Sequence, residues 1–329
     1  METTFTVKFW GVRGSYPVPG PATARVGGNT ACVEITVGTY TIIIDAGTGI
    51  INLGKALAKR GVPVDAVLLF GHMHHDHTQG FPFFSPAFNP TTRLHVFGPQ
   101  IVGHNLEDVL RSTMRPPTFP ITLDTLNADI SIRELAQGEV ILIGEDGVRV
   151  RGFTDVPLKD ESEKVKIYSM RSYAHPGDSL FYRIEWQGCS VVYASDTEGY
   201  VGGDRRLVNF ARDADLLIHD AQYSEDHYLG EAVGLPVTQG YGHSTPQIAC
   251  EVARLAGVRQ LALFHHEPGY NDEQVEKMAA DARQHFPNTT AAYEGLEIDL
   301  TQPAQPTHST PPYVPAPRPR DGKSRWIGA

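Results

Sequence analysis

The segment His72-Met73-His74-His75-Asp76-His77 constrains this chain more than any other part of it. It sets five candidate metal ligands in six residues, one residue after the apolar run VDAVLLF at 64–70. A short continuous apolar run of this kind reads as a strand buried on both faces. Neutral imidazole and carboxylate are donors that zinc and similar divalent ions accept. In an extended segment, side chains alternate with period two, so His72 and His74 point the same way and can share one ion. A turn at His75 then sends Asp76 and His77 toward a second ion nearby. A solvated histidine run has no reason to sit on the end of a buried strand.

The same pattern, an apolar strand ending in a polar cluster, recurs twice. ADLLIHDA (214–221) ends in His219 and Asp220, and RQLALFHHE (259–267) ends in His265 and His266. Residues 5–10 read as a strand. Residues 31–45, 140–153 and 179–196 read as hairpins turning at Gly38-Thr39, Asp146-Gly147 and Gln187-Gly188. Amphipathic helices are expected over 50–60, 104–113, 246–258 and 272–286, the third with Thr245 as its N-cap and Pro246 at its first position. Hairpins followed by strand–helix units predict an α/β fold with mixed sheets and helices outside them. Loops at strand ends, held by a rigid sheet, are where sites are built.

Composition enters as a limit on partners. The formal net charge is −10 and the sequence pI is about 5.8. An acidic chain lacks the basic face that attracts long nucleic-acid backbones, although bound metal ions can still draw a small anion. Cys32, Cys189 and Cys250 form no CxxC pair and are odd in number, which argues for buried thiols in a reducing, cytoplasmic setting. The first residues lack the apolar core of a signal peptide, and no apolar run approaches the roughly 20 residues that cross a membrane. Residues 1–300 are expected to form one domain. Residues 301–329 hold seven prolines and a net positive charge, and read as a disordered or extended tail.

The HxHxDH motif resembles the signature of the metallo-β-lactamase superfamily. The start FWGVRGSYPVPGPATARVGGNTACVE, with IHDAQY and GHST further on, is similar to the ribonuclease Z-like phosphodiesterase branch. The resemblance covers nearly all of residues 5–300. It implies a four-layer αββα sandwich of two mixed sheets with helices outside. It also implies two divalent ions, zinc by default with manganese or iron compatible. His72, His74 and His175 would hold one ion and Asp76, His77 and His265 the other, with Asp196 between them. In the family the last histidine directly follows its strand, which favours His265 over His266. Asp45 resembles the acidic residue that supports the metal loop. Asp220 resembles the carboxylate that orients a catalytic histidine, here His243, and Asp76 joins these two as a catalytic residue. A homodimer is a further implication.

The expected reaction is attack on a phosphodiester by water activated between two ions, with Asp220 and His243 assisting the leaving oxygen. The expected substrate is a small anionic phosphodiester such as a cyclic nucleotide. Long nucleic acid is disfavoured by the acidic body and by the lack of a long basic Gly-rich arm. A lactonase, thioesterase or β-lactamase-type hydrolase would use nearly the same ligands. His74 stands where a flavodiiron-type oxidoreductase would carry an acid. From another class, a non-catalytic metal-binding module could recruit a partner through its tail, but would need neither a full ligand set nor a proton donor. Arg13, Tyr16, Asn29 and Thr30 lie in the Gly/Pro-rich loop near the start, where spacing alone does not say whether they line a pocket.

Overall fold

The computed structural model describes residues 4–152, 161, 163–177, 179–199 and 202–303. Two sheets carry the fold. The first contains β1 (Phe5–Gly11), β2 (Cys32–Val37), β3 (Tyr40–Ile44), β4 (Asp65–Leu69), β5 (Arg93–Pro99), β6 (Asp129–Leu135) and β15 (Glu297–Asp299), in the order β15-β1-β2-β3-β4-β5-β6. The second contains β7 (Glu139–Gly144), β8 (Gly147–Gly152), β9 (Val165–Ser172), β10 (Ser179–Trp186), β11 (Cys189–Ala194), β12 (Leu216–Asp220), β13 (Gln260–Phe264) and β14 (Thr289–Ala291), in the order β14-β13-β12-β11-β10-β9-β7-β8. Each sheet is antiparallel on one side and parallel on the other: β3 to β6 run parallel, as do β11 to β14.

The apolar runs explain the layering. In β3, Ile42 and Ile44 join the core between the sheets, while Ile43 joins a second core outside. In β4, Val67 and Leu69 point inward, while Ala66 and Leu68 point outward. A strand whose two faces are both buried has no place for a polar alternate residue. The outer core of the first sheet is closed by α1 (Gly49–Lys59), through Ile50, Leu53 and Leu57, and by α3 (Leu106–Thr113), through Leu106 and Leu110. α2 (His75–Thr78) is a single turn on the metal-ligand segment. Beyond the second sheet, α4 (Arg205–Phe210), α6 (Pro246–Ala256) and α7 (Asp272–Ala282) cover its far face, and α5 (Glu225–Leu229) lies in the loop after β12. The result is the expected α/β sandwich of four layers.

Local chemistry fixes the element ends. Thr245 caps α6 through its side chain, Pro246 opens the helix, and Gly257 ends it at φ 68. Gln187 and Gly188 both have positive φ, as the tight turn joining two twisted antiparallel strands requires. The helix expected over 272–286 ends at Ala282, and its last residues turn back toward β14. The stretch 81–135, where only the helix over 104–113 is expected, also contains β5 and β6. β5 ends in Gly98-Pro99, and β6 alternates exposed and half-buried residues without a fully buried apolar stripe, which hid them. The expected tail falls outside the described residues apart from 301–303. Among the described residues, no helix is long and apolar enough to cross a membrane.

Candidate metal and catalytic centre

The site forms where parallel strands end, the place at which open α/β sheets present their loops. β3 delivers Asp45, β4 the His72–His77 segment, β11 Asp196, β12 Asp220 and β13 His265. Three of these residues, Asp45 (φ 62), Asp196 (φ 54) and His265 (φ 63), have left-handed backbones, as does Ser15 (φ 59) beside them. A residue with a Cβ adopts that region at a cost, and such strain gathers at functional sites. Here each kink turns a strand-end side chain back over the sheet edge.

Two groups of donors converge, and within each the donor atoms lie within 4.8 Å of one another. The first is His72, His74 and His175, with His74 Nδ1 at 3.1 Å from His175 Nε2. The second is Asp76, His77, Asp196 and His265. In it, His265 Nε2 lies 3.1 Å from Asp76 Oδ2 and 3.3 Å from Asp196 Oδ1, and His77 Nε2 lies 3.2 Å from Asp196 Oδ2. Asp196 Oδ1 also lies 3.6 Å from His72 Nε2, so this carboxylate reaches both groups. His266 turns the other way: its Nε2 meets the Ala292 carbonyl at 2.9 Å, and burial beside Arg13 pushes its pKa down to about 3.

Most of the imidazoles are aimed by a partner on their other nitrogen. His77 Nδ1 meets Asp45 Oδ2 at 2.7 Å, His265 Nδ1 meets Gln222 Oε1 at 2.9 Å, and His175 Nδ1 meets the Gly242 carbonyl at 3.0 Å. Such outer partners fix tautomer and ring orientation in metal sites. Asp45 is itself held, accepting from the Gly71 N–H at 2.7 Å and the Tyr193 hydroxyl at 2.5 Å. Asp45→Asn is therefore expected to weaken metal affinity 10–100-fold. Metal-buffered titration checks this, and unchanged affinity would remove the supporting role.

The donor set fits divalent ions. Both ring nitrogens of buried His72 lack a hydrogen-bond partner, and burial pushes its pKa well down, which keeps the ring neutral. Burial also opposes charge on His265, yet Asp196, Asp76 and Asp220 outweigh it and raise that pKa to about 9. A buried cradle whose carboxylates draw positive charge this strongly, beside a neutral His72 with both ring nitrogens free, matches what a metal ion requires.

Beside the cradle, His243 Nδ1 meets Asp220 Oδ2 at 2.7 Å. Asp220 is buried and also accepts from the backbone N–H groups of Ser244 (2.9 Å), Gln222 (3.1 Å) and Asp196 (3.2 Å). His243 stacks on His265 with ring centroids 5.0 Å apart. A cleft of about 510 Å³ opens onto Ser15, His74, Asp76, His175, Asp196 and His243. A larger cavity of about 730 Å³ lies among the hairpin turns around Tyr40 and Trp186 at the other ends of the strands. None of the ligand groups faces it, so volume does not locate the chemistry.

Several functional positions carry no signal in the sequence. The Ser15 N–H donates to Asp76 Oδ2 at 2.7 Å, and Gln222 is held by Glu267 at 2.8 Å. Glu198 accepts from the Tyr228 hydroxyl (2.6 Å), Gly240 N–H (2.7 Å) and Gly242 N–H (3.0 Å). It thereby holds the turn that carries both His243 and the Gly242 carbonyl on His175. Glu198→Gln puts an amide N–H where backbone N–H groups converge, and an outer-partner loss of about tenfold in kcat is expected. Turnover within error of the parent would refute that assignment. Of the loop residues, Arg13 is buried and donates to the carbonyls of Gly27, Glu267 and Tyr270. Asn29 pairs with Glu294 and Thr30 with Thr48, so these three brace the loop, while Tyr16 is exposed.

A family model described as a beta-lactamase superfamily domain matches residues 40–266. The chain is 25% identical to a ribonuclease Z of Thermoplasma acidophilum over 91% of this chain and 98% of that protein. It is 30% identical to a ribonuclease Z of Sulfurisphaera tokodaii over 67% and 76%. Among solved structures, the metallo-beta-lactamase fold protein YhfI of Bacillus subtilis superposes with a TM-score of 0.62 at 16% identity, covering 90% of this chain and 99% of that one. Human tRNase Z, short form, superposes with a TM-score of 0.57 at 20% identity, covering 90% and 99%. The chain belongs to the beta-lactamase superfamily, in its ribonuclease Z-like branch. It is a metal-dependent hydrolase acting on phosphodiester bonds.

These relatives correct one expectation. A small-molecule substrate, with long nucleic acid disfavoured, conflicts with curated relatives that are ribonucleases by name. Net charge misled because it sums the whole surface, whereas a site that binds metal ions sets its own local field.

Proposed function

We propose that this chain hydrolyses phosphodiester bonds in RNA. The observation that carries the reading is the Asp220–His243 pair, 2.7 Å apart, on the wall of a cleft that opens onto two groups of metal donors. The ribonuclease Z relatives supply the polymer, and a transfer RNA is the substrate suggested by the name of the human structural neighbour. His72, His74 and His175 would hold one ion and Asp76, His77 and His265 the other, with Asp196 shared. Zinc is the ion that best suits imidazole and carboxylate donors of this kind. Two such ions supply a Lewis-acidic clamp on phosphate oxygens and acidify water.

The protein's own groups do the rest. Asp220 takes Nδ1 of His243, which leaves Nε2 to hydrogen-bond the leaving ribose oxygen and give it a proton. An alkoxide leaves poorly without one. His265 stacks against His243 and limits its rotation. Ser15 holds Asp76 from the loop side, so that the carboxylate keeps one orientation toward the cleft.

The test compares zinc-loaded protein on an RNA with a 3′ extension, on bis(p-nitrophenyl) phosphate, and on lactone and β-lactam substrates. Cleavage of the RNA at a defined bond supports the reading. Fast opening of a lactone or lactam with every RNA left intact would sink it.

A further inference from the structure

Of the five large aromatic side chains exposed among the described residues, three lie within two residues of a residue that lines the catalytic cleft. Tyr16, Tyr173 and Tyr241 are 55%, 66% and 54% exposed. Tyr16 follows Ser15, Tyr173 precedes His175 by two residues, and Tyr241 precedes His243 by two residues. Ser15, His175 and His243 all line the cleft. Two residues of chain span at most about 7 Å, so each tyrosine is anchored at the edge of the site. Single exposed aromatics are ordinary. Three on one rim, reached from three separate loops, are a surface.

Each ring also stands on a fixed backbone. The Ser15 N–H is held by Asp76, and the Tyr16 N–H donates to the Gly14 carbonyl at 2.6 Å. Tyr241 lies between Gly240 and Gly242, whose N–H groups both bind Glu198, and its own N–H donates to the Thr238 carbonyl at 3.0 Å. The Arg206 guanidinium lies 5.9 Å from the centre of the Tyr173 ring, and its Nη2 donates to the Arg171 carbonyl at 2.9 Å. Exposed rings carried on a fixed backbone have less freedom to lose when they bind a flat partner than rings on a mobile one. A cation stacked on one of them adds attraction for a polyanion at that edge.

From this we infer that Tyr16, Tyr173 and Tyr241 form a stacking platform for unpaired bases on either side of the phosphate in the cleft. The ligand class is a single-stranded segment of RNA, because only unstacked bases offer their faces to aromatic side chains. Stacking tolerates any base, so the platform would give affinity without a sequence preference. The inference rests on the RNA reading above and adds the residues that would hold the strand. These tyrosines touch bases, not the reacting phosphate. Their loss should therefore raise KM for RNA and leave the chemistry on a substrate without bases unchanged.

The experiment uses full-length zinc-loaded protein with Tyr16→Ala, Tyr173→Ala, Tyr241→Ala, the triple variant, and a Tyr→Phe variant at each position. Substrates are a short single-stranded oligoribonucleotide, the same length with abasic sites flanking the scissile bond, and methyl p-nitrophenyl phosphate. Each alanine variant is expected to raise KM for the oligoribonucleotide about fivefold or more. The phenylalanine variants should stay near the parent. All variants should hydrolyse the small diester at the parental rate, and the abasic substrate should not distinguish parent from triple variant. If the parent and the triple variant cleave the oligoribonucleotide with the same KM, the platform is refuted and the RNA reading stands. If the parent cleaves the small diester but no oligoribonucleotide, the RNA reading fails and the platform goes with it.

Discussion

Replacing Asp196 with asparagine is expected to lower hydrolysis by about a hundredfold to a thousandfold, the scale seen when one central electrostatic contact is removed from a transition state. Asparagine keeps the shape of the side chain and tolerates the left-handed backbone at this position, so the fold should survive. What it loses is charge. Asp196 faces His72, His77 and His265 within 3.6 Å and, among the described residues, is the carboxylate that reaches both donor groups. Bound metal per chain should fall along with turnover, read by elemental analysis of dialysed protein. Asp196→Ala should be worse, because alanine also lacks the short polar side chain that lets Asp and Asn tolerate a left-handed backbone. Full metal content together with full turnover in Asp196→Asn would remove this residue from the centre.

His243→Ala is expected to lower RNA cleavage 10²–10⁴-fold, the range for a lost general acid or base. Metal content should not change. That second readout matters, because Asp196, Asp220, His243 and His265 also lie close enough together to hold an ion. A loss of metal in His243→Ala would make His243 a ligand and not a proton carrier. The effect should shrink toward nothing on bis(p-nitrophenyl) phosphate, whose leaving group departs without a proton. An equal loss on both substrates would argue against proton donation. Asp220→Asn should follow His243→Ala in pattern, since Asp220 acts by fixing the ring.

Much of this centre was legible in the sequence because its ligands sit at the ends of strands that are apolar throughout. VDAVLLF, ADLLIHDA and RQLALFHHE announce both the buried strand and the point where it stops, and His72, His74, Asp76, His77, Asp220 and His265 at those stops meet in space, while His266 turns away. What could not be read are pairings across long stretches of chain. The contacts of Tyr193 with Asp45, Gln222 with Glu267 and Ser15 with Asp76 join residues with no local pattern: the first follows from how the two sheets are stacked, and the other two from the order of strands within one sheet. Glu198 looks like an ordinary loop acid until the turn at 240–242 folds over it. The strands β5 and β6 were hidden because β6 alternates exposed and half-buried residues at the edge of its sheet, without a clean apolar stripe. The polymer that the relatives' names point to was not expected for a different reason: total charge carries no information on where along a surface a backbone lies.

The donors of the two metal groups are divided between the sheets. His72, His74, Asp76 and His77 hang from the first sheet, and His175, Asp196 and His265 from the second. Ions bound there would act as a cross-link, riveting the sandwich at the edge where its strands end. Chelation should then do more than stop hydrolysis: it should unfasten that edge, lower the melting temperature and speed hydrogen exchange at the ends of β4, β11 and β13 first. A chain built this way registers metal supply through its persistence as well as its rate, since the starved form is both idle and easier to unfold.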